Sequence, residues 1–218
     1  MSWAKVFAIN SNMRRSLNDM MRDMMYRPMR IITSSGNYTP EKTGIYKVIC
    51  IGAGGSGAFV EVSVTYGASG GGGGGVGVKD IRLVKGTSYP VTVSTTASFG
   101  SYVTAYAGGS GTGSTAGGSG GSAVGGDYNF TGSVGVTSGK GSNVSVKGGS
   151  VGVALPEMYR TLEFTDGSSR ILKYGDSILS YGGGGGAWGN YVSSSSHGGY
   201  ACPGLPAAVI IIPLEMEE

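Results

Sequence analysis

Gly52-Ala53-Gly54-Gly55-Ser56-Gly57 and then Gly70-Gly71-Gly72-Gly73-Gly74-Gly75-Val76-Gly77 decide how this chain can fold. They belong to a series of clusters, continued at 108–121, 132–141 and 148–152, that places 31 of the 44 glycines between residues 52 and 153; another dense run spans 182–186. A flexible Gly/Ser linker is the default reading of such runs. Two features oppose it. Short segments rich in aromatic and β-branched residues interrupt the clusters, and the chain closes on a hydrophobic run that must return to the core opened by residues 44–51. Ordering glycine costs more backbone entropy than ordering any other residue, and there is no side chain to bury in return. The compensation must come from the backbone. A polyproline-II-like helix has no internal hydrogen bonds, and only glycine lets such helices approach closely enough to bond one another. The expected fold is therefore mostly irregular and β: a sandwich of packed polyglycine-II helices with a few β-strands and a short N-terminal helical attachment segment.

Composition narrows the function classes. Of the 218 residues only 13% are charged, and with seven prolines and no three-residue glycine period the chain is neither a charged disordered tail nor a collagen. The net charge of +3 is mild, but residues 1–47 hold eight basic side chains against three acidic ones (Asp19, Asp23 and Glu41). Between residues 97 and 153 the only charges are Asp127, Lys140 and Lys147, so the arginine-interleaved pattern of a glycine-rich RNA binder is missing and no nucleic-acid partner is expected. No run approaches the 18 apolar residues of a membrane span, and the start lacks a secretory core, so synthesis in the cytoplasm without a signal peptide is expected.

Four regions follow: an attachment segment over 1–43, a glycine-rich body with the recognition loops over 44–153, a strand-containing insert expected near the attachment region over 154–181, and a last glycine block with an aromatic loop and closing strand over 182–218. In the first, Met13, Leu17, Met20, Met21 and Met24 share one face of a helix that Pro28 stops. Such a methionine face suits an adaptable partner surface; packing on its own domain is the plainer alternative. An Arg-rich mitochondrial presequence is a third, opposed by Asp19 and Asp23. Gly44 to Ile51 reads as a buried strand, Val78–Val84 and Tyr89–Val93 as a hairpin, and Ala208–Leu214 as a strand that Pro213 ends at a sheet edge. In the insert, Tyr159–Thr165 and Ser169–Tyr174 flank Asp166-Gly167 as two further strand-like runs.

Residues 52–57 match a dinucleotide fingerprint, yet Phe59 to Tyr66 continues as a period-2 strand pattern rather than the helix that fingerprint requires. His197 is the single histidine, without a nucleophile elbow or paired carboxylates to accompany it, and neither Cys50 nor Cys202 has a ligand neighbour at metal spacing. The two cysteines are free to pair with each other or to sit as small buried apolar groups. No enzyme activity, metal or cofactor is expected. The informative residues are aromatics set between glycine clusters with small polar companions. They are Tyr66, Phe99, Tyr102, Tyr106, Tyr128, Asn129, Phe130, Trp188, Asn190, Tyr191, His197 and Tyr200. Tyr with Ser, Gly and Asn is the composition of binding loops, in which rigid aromatics give contact area and small residues adapt.

Taken together, the opening Met1-Ser2-Trp3-Ala4, the strand entering Gly52–Gly57, the alternation of glycine blocks with variable segments and the apolar end Gly204 to Leu214 resemble the receptor-recognising adhesins at the tips of long tail fibres of T-even-type bacteriophages. The resemblance covers essentially the whole chain and rests on organisation more than on a sharp motif. It implies one monomer per fibre tip, carried on the virion and attached to a trimeric long tail fibre protein. That role falls on Trp3, Met13, Leu17, Met20, Met21, Met24 and Met25. It also implies that the variable aromatic loops bind an outer-membrane protein of a Gram-negative host, or lipopolysaccharide, and set host range. A structural or ice-binding glycine-helix protein, whose stack is itself the functional surface, is the alternative.

Overall fold

The computed structural model describes residues 29–62, 65–113, 116–141, 143–146, 148–151, 181–193 and 196–217. The chain shuttles between two ends. Strands β1 (Arg30–Ile32), β2 (Gly36–Tyr38) and β3 (Gly44–Ile51) start at one end, and the glycine segment 52–57 leads away to β4 (Ala58–Val62) and β5 (Thr65–Ser69). Segment 70–75 returns to β6 (Val76–Leu83), followed by β7 (Tyr89–Val93), β8 (Ala97–Phe99) and β9 (Val103–Ala105). Segments 106–111 and 116–122 run out and back to β10 (Ala123–Val124) and β11 (Tyr128–Phe130). Segment 131–136 goes out to β12 (Thr137–Gly141) and β13 (Asn143–Val146), and 148–151 returns. Segment 182–186 goes out once more to β14 (Ala187–Ser193) and β15 (Ser196–Ala201), and 202–207 returns to the closing β16 (Ala208–Met216). Arg30, Val151, Tyr181 and Glu217 therefore lie at the proximal end, and the reversals between β4 and β5, β12 and β13, and β14 and β15 lie at the distal end.

The proximal end is a sandwich. Sheet A has the order β1-β16-β3-β6-β11, sheet B the order β10-β9-β8-β7-β2, and all pairings are antiparallel. Alternate residues of β3, β6 and β16, among them Val48, Leu83 and Val209, meet Tyr89, Phe99 and Val103 of sheet B in one core. Each such side chain contributes about 1.5–3 kcal/mol of transfer free energy. The runs 78–84 and 89–93 do not form the expected hairpin: β6 lies in sheet A and β7 in sheet B. Both strands point their alternate apolar residues at the same core, so the chain arches across it, and the Tyr89 hydroxyl accepts the Val84 N–H at 3.0 Å. Pro213 falls at a register shift against β3, beyond the Val209–Ile211 stretch that pairs with β1, where β16 has become an edge.

The opposite face of sheet A is also apolar. Directly paired residues share a face, and the register lines up Ile31, Ile210, Ile49, Val78 and Tyr128 across all five strands. Ile49, Ile51, Val76 and Ile210 are buried there, with Val151 and Tyr181 packed against them.

Between the two ends the glycine segments bond one another through their backbones. Segment 70–75 is surrounded by six others. Its Gly70 and Gly73 N–H groups donate to Val136 and Ser133, Gly71 and Gly74 to Gly185 and Gly182, and Gly72 and Gly75 to Gly109 and Tyr106. The same target segment recurs every third residue. Carbonyls of the central segment accept in turn from Gly52 and Gly55, from Gly118 and Gly121, and from Gly149. The six outer segments also bond in a closed ring, in the order 52–57, 106–111, 116–122, 131–136, 148–151, 182–186 and back to 52–57, for example through Gly108 N–H to Ala53 and Gly185 N–H to Gly55. A Cβ on Gly72 would overlap the Ser119 carbonyl and one on Gly74 the Gly52 carbonyl. This close approach is why the segments are glycine.

At the distal end sheet C (β12-β5-β4) packs on sheet D (β13-β14-β15). Their shared core is built from Ala68, Val146, Ala187 and Ala201, side chains small enough to keep the sheets at the narrow spacing of the array. The described residues are thus all-β, with sixteen strands in antiparallel sheets, against the few strands expected. Short runs such as 137–141 and 196–201 are rich in Gly and Ser and carry little strand propensity, and pairing alone orders them. The expected N-terminal helix lies outside the described residues.

Candidate binding site

The aromatic residues singled out above separate into two groups, one at each end. At the distal end, Tyr66 pairs with Glu61 and Gly141 in sheet C, Trp188 with Tyr200, and Tyr191 with His197 in sheet D; Asn190 pairs with Asn143 and Gly198. Tyr200 is 49% exposed. Phe59 on β4 is also exposed, and its ring lies where a side chain at Gly199 would otherwise stand, on the face of β15 opposite to Tyr200. Phe59 is absent from the candidates read from sequence, where its period-2 pattern marks only a strand in place of a nucleotide-site helix. The glycine opposite it becomes visible as a signal once the two sheets are stacked.

The proximal group behaves differently. Phe99 is fully buried, its ring stacked on Tyr89 at 5.7 Å and tilted against Tyr38 and Tyr102 at 6.3 Å. Its assignment to binding is corrected: an aromatic on the inward face of β8 is a core residue whatever its glycine neighbours. Tyr102 leans on the same cluster and Tyr106 passes its backbone to the array, accepting the Gly75 N–H and donating to Ser122, while both rings are partly exposed. Tyr128 (64% exposed) and Phe130 stand on the edge strand β11. Asn129 is committed to the turn, its side chain accepting the Gly126 N–H at 3.1 Å and donating to the Gly126 carbonyl at 2.9 Å, next to Gly125 at φ +79. Asp127 locks the same turn to β6. The Asp80 N–H (2.9 Å) and the Lys79 ammonium (3.1 Å) hold its carboxyl below the usual carboxylate range.

The two cysteines are free and buried. Burial pushes the Cys50 thiol up to about 12 and the Cys202 thiol in the same direction. Neither presents a nucleophile. Among the described residues no group of three His, Cys, Asp or Glu gathers into a possible metal site, and no helix among them is long and apolar enough to cross a membrane. The expected attachment residues Trp3, Met13, Leu17, Met20, Met21, Met24 and Met25 lie outside the described residues.

These features define an all-antiparallel β-protein in which two sheet sandwiches are joined through a bonded glycine array. Residues 33–209 match the model of the glycine-rich domain family, and the chain belongs to that family. No curated protein matches it.

Proposed function

We propose that the chain is a non-enzymatic adhesin at the tip of a bacteriophage long tail fibre, binding a bacterial outer-membrane receptor through its distal end. The observation that carries this reading is the polarity of the molecule. Chain entry at Arg30, the described residues bordering the insert, Val151 and Tyr181, and the C-terminal strand share the proximal end, while strand reversals and a set of aromatic residues share the other. The array between them is read as packed polyglycine-II helices, supported by the three-residue recurrence of bonding partners and by the six neighbours of segment 70–75. Such a body orders its backbone with almost no side-chain packing, so the distal residues can vary without disturbing it. One copy would sit on each trimeric fibre in the virion, attached through the N-terminal segment. Aromatic anchors with polar companions would supply affinity, and several fibres per particle would multiply it.

The test is co-expression with the distal part of a trimeric tail-fibre protein, followed by binding of the purified complex to intact Gram-negative cells. Changing Trp188, Tyr191 and Tyr200 together to Ala should abolish cell binding, whereas Tyr128→Ala with Phe130→Ala should leave it intact. The reverse pattern would place recognition at the wrong end and sink this reading.

One observation favours the structural or ice-binding alternative. The outer face of sheet B aligns Thr92, Ser98, Thr104 and Val124 in one uncharged row. Thermal hysteresis in the isolated chain, without cell binding, would select it.

A further inference from the structure

We propose that the outer side of sheet B, together with the two glycine segments that run into it, is a binding face for an uncharged polysaccharide, with Tyr106 as the residue on which a sugar ring stacks. The inference does not rest on the adhesin reading, because this face lies along the side of the molecule and not at its distal end.

Segments 106–111 and 116–122 continue proximally into β9 and β10, and on their inner side they bond the central segment 70–75. Their outer side therefore runs on into the outer face of sheet B. Val91, Phe99 and Val103 are buried in the core, so strand alternation turns their neighbours Thr92, Ser98 and Thr104 outward, and the register sets these three side by side. Neighbouring strands lie about 4.8 Å apart, so the hydroxyls repeat on the scale of a sugar ring. Further along the same side, Ser119 and Ser122 are exposed. None of these five hydroxyls has a hydrogen-bond partner among the described residues.

Tyr106 stands in the middle of this face, two residues beyond Thr104. Its N–H donates to the Ser122 carbonyl at 2.8 Å and its carbonyl accepts the Gly75 N–H at 3.0 Å. The backbone is thereby fixed while the ring stays 44% exposed.

The face also lacks charge. No charged residue lies between Lys85 and Asp127, the stretch that supplies β7 to β10 and both glycine segments, and β2 is Gly-Asn-Tyr. The ion pairs Lys47–Asp80, Lys79–Asp127 and Arg82–Glu217 all belong to sheet A. Phosphate, sulfate or carboxylate groups on a ligand would find no counter-charge here, which argues against nucleic acid and acidic glycans. A neutral sugar matches on both counts: its C–H face stacks on a tyrosine ring, and its hydroxyls exchange hydrogen bonds with Ser and Thr, which donate and accept. An ice surface fits less well, because the Tyr106 ring interrupts the flat row.

Retention of the full chain on immobilised dextran, amylose and mannan tests this, with immobilised polygalacturonate as the acidic counterpart. At least one neutral polymer should retain the chain, and retention should persist at about 1 M salt, where charge pairing is screened. Tyr106→Ala should weaken binding about tenfold and Thr104→Val about threefold. Tyr106→Phe should keep most of it, which separates loss of the ring from loss of the fold. Tyr128→Ala, which removes an exposed ring from the edge of sheet A, should change nothing. Retention on polygalacturonate alone, loss of retention at high salt, an equal loss with Tyr128→Ala, or no retention on any neutral polymer would overturn the proposal, and thermal hysteresis without retention would do so in favour of ice.

Discussion

Phe99 and Gly72 are both fully interior, yet they hold their surroundings together in opposite ways. Around Phe99 the proximal sandwich is ordered by side chains: rings and branched aliphatics leave water, and the strands follow the faces those residues must bury. Around Gly72 nothing leaves water except the backbone itself. Its N–H bonds Gly109, its carbonyl accepts from Gly55, and its missing Cβ is what lets segment 116–122 come close. The first region tolerates a change of side chain if volume is kept. The second tolerates no side chain at all, because the atoms in the way are carbonyl oxygens bonded to further segments and cannot swing aside. Ordering by backbone alone works only when nearly every buried N–H finds a partner, and the ring of segments around 70–75 achieves this.

The sharpest way to break the comparison is Gly72→Ala or Gly74→Ala. Each should cost more than about 4 kcal/mol and abolish a cooperative melting transition. Gly36→Ala, where a Cβ meets nothing, should stay within about 0.5 kcal/mol of the parent. A Gly72→Ala protein that melts like the parent would end the account of the array. Next in size, Phe99→Ala should lose about 3–5 kcal/mol in chemical denaturation as the sandwich core opens a cavity, with Phe99→Leu recovering much of it.

Alkaline pH probes the sandwich through Cys50, while Cys202 at the margin of the array is raised in the same sense. Burial raises the Cys50 thiol from its ordinary 9.0 to about 12 in the folded chain. Its contribution is fully present below the unfolded value. As pH rises from there the unfolded state ionises first, so stability should fall by about 1.4 kcal/mol per pH unit until the folded value is reached. Denaturation curves at pH 8 and pH 10 should show the drop, and Cys50→Ala should reduce it. Burial and the neighbouring Tyr46 likewise push the Tyr38 hydroxyl up to about 12, adding to the slope above pH 10. The smallest effect belongs to the surface. Arg82 pairs with Glu217 at 2.7 Å with both side chains about half exposed, so Arg82→Gln should lower Tm only slightly, and less still at high salt.

Parts of this architecture were legible in the residues. The apolar run 44–51 and the closing run 208–214 are strands, and they pair directly, Ile49 opposite Ile210. Their composition left no other way to bury them. The need for glycine segments to bond one another also follows from the cost of ordering glycine without a side chain. The hairpin expected at 78–93 failed because alternation specifies which face of a strand is buried but not which strand lies beside it. Phe99 was misread for a related reason. Its glycine and serine neighbours look like a binding loop, and only its place on β8, with Tyr89 stacked beneath it, makes it core.

Composition dictates that this chain must build a body from its backbone, with strands at the places where branched and aromatic residues gather. Where those places stand in space is set by the packing of the folded molecule. Glycine runs are interchangeable, with no side chain to distinguish one neighbour from another, so the partner and direction of each segment are set by the strands it joins. The chain reverses at every passage through the array, which carries Tyr128 to the proximal end and Tyr200 to the distal one.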